Sequence, residues 1–136
     1  MKAISLWKSL AIFILLAIHG CEECPAMDRF AALSQIESGD RDAAIGADGE
    51  ISRYQILVME WRRASSAPLS RALDSASALA VAQAIMSARC TAFAARRHRP
   101  PTDFEFYLLW HRPARVLNPK HREAARAQRF ANLCTK

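Results

Sequence analysis

The feature that most constrains this sequence is an alanine-rich segment from Asp74 to Arg97, in which apolar residues recur every three or four positions. This spacing puts the apolar side chains on one face of an α-helix, and alanine has the highest intrinsic helix propensity. Asp74 is a candidate N-cap, and the basic residues at 96–99 lie where the helix dipole favours cations. We predict one long helix whose apolar stripe is formed by Leu79, Ala82, Ile85, Met86, Cys90 and Phe93.

Four shorter segments also carry helical signals. Asp28 is a candidate N-cap for the first, and Thr102 with Glu105 three residues later forms a capping box. Between the first two helices, the glycine-punctuated stretch 40–55 predicts an ordered loop or a short β-ribbon. The shorter helices are predicted at residues 27–36, 54–64, 102–113 and about 120–134.

The domain organisation follows from length and from the N-terminus. A chain of 136 residues is long enough for one domain and too short for two. Lys2 and Lys8 accompany an apolar stretch of ten residues, which suits a signal-peptide core but is too short to span a bilayer. An uncleaved anchor is the alternative. We assign residues 1–20 to a signal peptide, 21–27 to a short tether, and 28–136 to a mainly α domain with a small loop or β-ribbon insertion after its first helix.

Cys21 is a candidate lipidation site, because Ile18-His19-Gly20-Cys21 has the outline of a bacterial lipoprotein box. Acyl chains would then hold the mature protein at a membrane. The alternative is ordinary cleavage before Met27, which would release a soluble protein. Both routes predict export. The protein would then be in the periplasm, on the outer membrane as a lipoprotein, or outside the cell.

Export takes a protein to a compartment where disulfides can form, so the other cysteines are candidates for pairing. Cys90 and Cys134 each fall in a predicted late helix and form a disulfide candidate. Cys21 and Cys24 have the spacing of a redox or metal pair, but no second such pair and no clustered histidines accompany them. We therefore expect no metal and no cofactor.

The charge of the chain bears on its partners. Removing residues 1–20 takes away Lys2 and Lys8, so the formal net charge falls from +6 to +4. A basic exported protein suits an anionic partner such as the cell wall or a membrane surface. We expect no nucleic-acid partner, because export removes the chain from that compartment. We expect a monomer that meets the membrane only through the lipid anchor, if one is present.

Glu37 is the candidate for chemistry. It ends the first predicted helix, precedes the glycine loop, and stands eighteen positions before Gln55. A carboxyl group on a cleft wall, half withdrawn from water, has a raised pKa and can hold a proton near neutral pH. Gln55 suits sugar hydroxyls or an acetamido group, and Tyr54 and Trp110 could supply flat faces for sugar rings. The alternatives are a solvated surface glutamate, a structural glutamine and core aromatic residues.

Two segments resemble the lytic transglycosylase and goose-type lysozyme superfamily. Glu37-Ser38-Gly39, then Ala44, Gly49 and Gln55-Ile56, resemble the catalytic motif of that family, with its usual interval from glutamate to glutamine. Downstream, Leu108-Leu109-Trp110-His111 resembles the family's helical A-A-Y-N segment. The likeness covers most of residues 28–118. The chain departs from the family at residues 52–54, where the family has G-L-M, and at residues 110–113, where it has Y-N-A-G.

The resemblance implies a lysozyme-like α+β fold that cleaves the β-1,4 bond between N-acetylmuramic acid and N-acetylglucosamine in peptidoglycan. Glu37 would be the single catalytic acid and base of a transglycosylase. Trp110 falls where the family has a tyrosine near the glutamate, and Tyr107 lies about one turn before it. The implied substrate-binding residues are Ser38, Tyr54, Gln55, Tyr107 and Trp110.

Three alternatives stay open. The first is a hydrolytic lysozyme, which would use a second carboxylate such as Asp40, Asp42, Asp48 or Glu50. The second is a non-catalytic cell-wall-binding module on the same scaffold, since fold alone does not imply activity. The third is an exported helical inhibitor or assembly factor.

Overall fold

The computed structural model describes residues 27–135, and within that range five α-helices and no strand make up the fold. The prediction of a mainly helical domain is confirmed. The predicted signal peptide, Cys21, Cys24 and the tether before Met27 lie outside the described residues. The helices are α1 (Arg29–Ser38), α2 (Val58–Ala64), α3 (Ser75–Arg97), α4 (Asp103–His111) and α5 (His121–Cys134), with short 3-10 turns at Leu69–Leu73 and Pro113–Arg115.

The predicted caps of α1 and α3 are confirmed. The Asp28 carboxylate accepts a hydrogen bond of 2.8 Å from the backbone N–H of Phe30, and Asp74 accepts one of 2.9 Å from that of Ser77. Each bond satisfies a backbone donor that the first turn of a helix leaves without an internal partner. These local signals place the starts of α1 and α3.

The capping box that begins α4 is also confirmed. The Thr102 hydroxyl accepts from the backbone N–H of Glu105 at 3.3 Å, and the Glu105 carboxylate accepts from that of Thr102 at 2.9 Å. The hydrogen-bonded guanidinium of Arg99 is the main reason that the pKa of Glu105 falls to about 2. Glu105 therefore stays ionised and keeps the cap closed over the ordinary pH range.

Two of the helix boundaries that differ from the prediction matter for the site. α1 continues past Ile36 to Ser38, where Gly39 adopts a left-handed conformation with φ 64° and ends it. α2 begins only at Val58, because Gln55 has a positive φ of 53° and cannot be part of a regular helix. Glu37 thus lies in the last turn of α1, and Gln55 belongs to the loop.

The insertion between α1 and α2 is an ordered loop that folds back on itself. Isolated antiparallel bridges pair Ile51 with Ile45 on one side and with Ile56 on the other. Arg53, one of the residues that departs from the family pattern, lies 2.7 Å from the Asp42 carboxylate and braces the loop. The insertion is therefore held in one shape without any regular strand among the described residues.

α3 has the predicted apolar stripe, slightly rotated. Leu79 and Cys90 are only partly buried against the core. Although this helix is long and apolar enough to meet the length and composition of a membrane span, its apolar face packs inside the domain. Its buried residues are Ala78, Val81, Ala82, Ile85, Met86 and Phe93.

α4 lies at the centre of the domain. Every residue from Phe106 to Trp110 is buried, and the helix packs against both α3 and α5. Phe106 stacks on Phe130 of α5 with ring centroids 5.8 Å apart. A polar side chain on a helix that is buried to this extent requires a hydrogen-bond partner, because an unpaired polar group loses its hydration. Tyr107 is such a side chain.

The disulfide candidate is not formed. Cys90 and Cys134 are free thiols that pack against the core from α3 and from the end of α5, and α4 contacts both of these helices. Burial raises the pKa of both thiols, that of Cys134 to about 11. A protonated thiol is a poor nucleophile for disulfide exchange.

Candidate functional site

Glu37 faces a cavity of about 250 Å³ between the loop and α4. Its side chain is 8% exposed, so the carboxyl group is largely withdrawn from water. The loop contributes Gly46 and Gln55 to the lining, and α4 contributes Trp110 and His111. The structure thus brings Glu37, Gln55 and Trp110 to one cleft, as the sequence predicted.

One oxygen of the Glu37 carboxyl group is held in place. The phenol of Tyr107 donates a hydrogen bond of 2.8 Å to Oε1, and the guanidinium of Arg126 lies 3.5 Å from the same atom. Among the described residues, no group forms a hydrogen bond with Oε2. Because Oε1 is occupied as an acceptor, Oε2 is the oxygen that can carry a proton towards a ligand in the cleft.

The pKa of Glu37 is raised above the ordinary glutamate value, and burial is the largest cause. The hydrogen bond from Tyr107 and the charge of Arg126 act in the opposite direction, while the nearby Glu50 carboxylate adds to the increase. Burial disfavours the ionised form because a carboxylate loses its hydration. The protonated form therefore persists to higher pH than in a solvated glutamate, which a general acid requires.

The loop wall depends on a glycine. Gln55 donates from Nε2 to the carbonyl oxygen of Ser52 at 3.0 Å, which fixes its side chain. A Cβ atom at Gly46 would come within 2.5 Å of Gln55 Oε1 and would also collide with the Glu50 carboxylate. Only glycine allows these two side chains to lie against the backbone here. Gln55 thus both lines the cleft and holds the loop.

The opposite wall comes from the end of α4. The His111 ring stacks on Tyr107 with centroids 5.7 Å apart and faces the cavity. Burial lowers the pKa of His111, and the charges of Arg126 and Arg112 lower it further. The imidazole is therefore neutral at pH 7 and offers both a donor and an acceptor nitrogen.

Two of the four loop carboxylates reach the cleft. Asp48 and Glu50 line the cavity with Glu37. By contrast, Asp40 accepts a hydrogen bond of 2.6 Å from the hydroxyl of Ser34, and Asp42 is paired with Arg53. Asp40 and Asp42 therefore stabilise the loop, and only Asp48 and Glu50 are placed to act beside Glu37.

Three of the five predicted substrate-binding residues lie outside the cavity lining: Ser38, Tyr54 and Tyr107. The Ser38 hydroxyl is buried, donates to the Ser34 carbonyl at 3.3 Å and accepts from the Arg41 N–H at 3.1 Å. Tyr54 is 4% exposed and packs edge-on against Phe30. The Ser38 side chain connects α1 to the loop by hydrogen bonds. The Tyr54 side chain packs in the core.

Tyr107 and Trp110 have different positions relative to Glu37 from those the resemblance implied. The resemblance put Trp110 next to the glutamate, but Tyr107 is the α4 residue that contacts Glu37. Trp110 is 7% exposed and lines the cleft beside it. The two residues are three positions apart, which turns their side chains about 60° from each other around the helix axis, and Tyr107 is the one whose hydroxyl reaches Oε1.

Arg126 is a residue of the site that the sequence did not single out, and His111 was expected at the surface or at a helix cap. Arg126 reaches Glu37 from α5, and its guanidinium lies 5.9 Å from the centre of the Tyr107 ring. α5 carries several arginines, and nothing in its pattern marks one of them as facing a cleft. His111 falls within the segment of family likeness, but the family has asparagine there.

Comparison of this chain with protein-family models, with curated proteins and with solved structures finds no match.

Proposed function

We propose that this protein is a lytic transglycosylase that cleaves the glycan strands of peptidoglycan, with Glu37 as its single catalytic acid and base. The observation that carries the proposal is the state of Glu37: a largely buried carboxyl group that lines the cleft and is anchored at Oε1 by Tyr107, with no hydrogen bond to Oε2 from the described residues. The raised pKa of this group keeps it protonated where a solvated glutamate would ionise. The motif resemblance supplies the substrate.

The reaction begins with protonated Glu37, which donates its Oε2 proton to the glycosidic oxygen that links C1 of N-acetylmuramic acid to C4 of N-acetylglucosamine. The C1–O bond breaks, and positive charge develops on the muramoyl ring. The Glu37 carboxylate then takes the proton of the muramoyl 6-hydroxyl, whose oxygen bonds to C1 and closes a 1,6-anhydro ring. The proton returns to Glu37, so no water is consumed.

The neighbours of Glu37 fit these two steps. Tyr107 holds the carboxyl group in one orientation throughout, because its phenol stays protonated: burial and Glu37 both raise its pKa. Arg126 stabilises the carboxylate that exists between the two proton transfers. Gln55 and His111 provide polar contacts for sugar hydroxyls and the acetamido group, and Trp110 provides an apolar surface.

A hydrolytic lysozyme is the second candidate, and one observation favours it. Glu50 and Asp48 line the same cavity as Glu37, and Glu50 is close enough to raise the pKa of Glu37. A second carboxylate so placed could activate water against the muramoyl C1. A non-catalytic wall-binding module is the remaining alternative.

Both enzymatic functions require export to the periplasm or the cell surface. Residues 1–20 would direct export, and Cys21 would then be either acylated or removed with the leader. The substrate is a long polymer, so a monomer with one cleft suffices for cleavage.

Digestion of purified peptidoglycan by the mature protein, with products analysed by mass spectrometry, tests the proposal. Anhydro-muropeptides from the wild type, absent with Glu37→Gln, are the expected result. Reducing ends would favour the hydrolase, and the absence of products from correctly folded wild type would favour the binding module. Full activity of Glu37→Gln would remove Glu37 from the mechanism. Circular dichroism of both proteins provides the folding control.

A further inference from the structure

A second, larger cavity continues from the cleft of Glu37. Its volume is about 900 Å³, at the upper end of the range of about 300–1,000 Å³ typical of ligand pockets. Its walls include the end of α4, the 3-10 turn that follows, and the first turn of α5. Residues that line both cavities are Leu57, Glu60, Trp110, His111 and Arg112. A polymer bound at Glu37 therefore has a continuous path into this second space.

The walls of the larger cavity carry an excess of positive charge. Five arginine and lysine side chains line it, against two carboxylates. Both carboxylates already have cationic partners: Glu60 is paired with Arg89, and Glu123 lies 2.9 Å from Arg115 and 3.9 Å from Arg112. The lining cations are Arg89, Arg112, Arg115, Lys120 and Arg122.

Lys120 and Arg122 are the two lining cations that take no part in these ion pairs. Both are exposed, and within residues 27–135 neither forms an ion pair with a carboxylate. Like charges gathered around one cavity repel each other and attract anions. A ligand with separated negative charges would relieve that repulsion without displacing the existing pairs.

We propose that this cavity binds the carboxylates of the stem peptide attached to the glycan strand in the cleft. The inference rests on the proposed function, because it takes its ligand from the substrate of Glu37. Each muramoyl lactyl group carries a short peptide with several free carboxylates. A cationic cavity that opens directly from the glycan cleft matches such a branch in charge, size and position.

The first experiment measures binding alone, so it does not depend on catalysis. The probe is synthetic L-Ala-γ-D-Glu-meso-diaminopimelate-D-Ala, titrated into the mature protein by calorimetry. Lys120→Gln/Arg122→Gln should bind it about five- to tenfold more weakly than the wild type, since exposed charge pairs each contribute modestly. Arg62→Gln/Arg63→Gln, which removes the same charge from exposed positions outside the cavity lining, should bind like the wild type.

Two controls identify the ligand chemistry. The same peptide with all carboxylates amidated should give no binding. Inorganic phosphate should compete only weakly. Equal affinity of the wild type and the Lys120→Gln/Arg122→Gln variant, or retention of affinity by the amidated peptide, would overturn the proposal. Phosphate that displaces the peptide at equal concentration would instead assign the cavity to phosphate-bearing wall polymers.

The second experiment links the subsite to cleavage. The wild type should cleave peptide-bearing strands faster than strands stripped of peptides by an amidase, and this ratio should fall in the Lys120→Gln/Arg122→Gln variant. An unchanged ratio, with both proteins active, would reject the subsite and leave the proposed function standing. Charge-dependent peptide binding by a protein that cleaves neither substrate would reject the proposed function and keep the subsite.

Discussion

The phenol of Tyr107 donates a hydrogen bond of 2.8 Å to Oε1 of Glu37 and so joins the centre of α4 to the last turn of α1. The two residues are 70 positions apart in the chain. A second contact between the same helices, from Arg29 to Asp103 at 2.7 Å, joins their first turns. Because α1 is held to α4 at both ends, the direction of the Glu37 carboxyl group is set by the packing of the domain.

Tyr107→Phe should weaken catalysis and raise the pKa of Glu37 further. The hydrogen bond lowers that pKa, so its removal shifts the alkaline limb of the pH–rate profile to higher pH. The rate at the optimum should fall about tenfold through loss of orientation. Stability should fall by about 1–2 kcal/mol because a buried acceptor loses its donor. A pH–rate profile with thermal melts measures all three effects, and an unmoved alkaline limb would contradict this role.

Arg126→Gln should also move the alkaline limb to higher pH, because the charge of Arg126 lowers the pKa of Glu37. Tyr107 still holds Oε1 in this variant, so the loss of rate on the acid side should be smaller than for Tyr107→Phe. Arg129→Gln, an exposed change on the same helix, is the matched control. A limb that moves equally in both arginine variants would show a general charge effect instead of a direct contact.

Helix starts that are marked by local signals could be predicted from the sequence. Contacts that depend on the rotation of a helix about its axis, or on packing between distant segments, could not. The caps at Asp28 and Asp74 and the capping box at Thr102 are visible within three or four residues, so these helix starts were correct. By contrast, no short-range pattern tells whether Tyr107 or Trp110 meets Glu37. That choice depends on the rotation of α4 against α1.

Loop side chains show the same limit. Tyr54 and Gln55 are adjacent and were predicted to share the cleft, but the bridge of Ile56 to Ile51 turns them in different directions. Gln55 lines the cleft and Tyr54 enters the core. Arg126 belongs to the site only because α5 packs against α1, which no local pattern predicts.

Glu37→Gln should stabilise the folded protein at neutral pH. The pKa of Glu37 is higher in the folded than in the unfolded state, so the folded protein binds more protons between the two values. The contribution of this carboxyl group to stability is thus fully present below the unfolded pKa and is lost as pH rises through the folded pKa. Glutamine has no such loss and can still accept the Tyr107 hydrogen bond.

Thermal melts of the wild type and Glu37→Gln from pH 4 to pH 8 measure this difference. The melting temperature of the variant should exceed that of the wild type at pH 8, and the gap should narrow as pH falls towards 4. A gap that widens towards acid would mean that the folded-state pKa of Glu37 is depressed.

Gly46→Ala should damage the cleft more than the fold. A methyl group there would collide with the ends of the Gln55 and Glu50 side chains, so these ends must leave their present places in the cleft lining. If Glu37 acts as proposed, a displacement of this kind beside it should lower kcat/KM by about tenfold. Gly49→Ala is the matched control, because its Cβ meets open space but its φ of +80° strains any other residue. That strain should cost about 1–2 kcal/mol of stability.

The two alanine variants should therefore differ in which property they lose, activity or thermal stability. Gly46→Ala should lose activity with a nearly unchanged melting temperature, and Gly49→Ala should melt earlier while it keeps more of its activity at low temperature. Peptidoglycan digestion rates and thermal melts on the same preparations supply the comparison. If Gly46→Ala retained full activity, the wall formed by Gln55 and Glu50 would have no part in holding the substrate against Glu37.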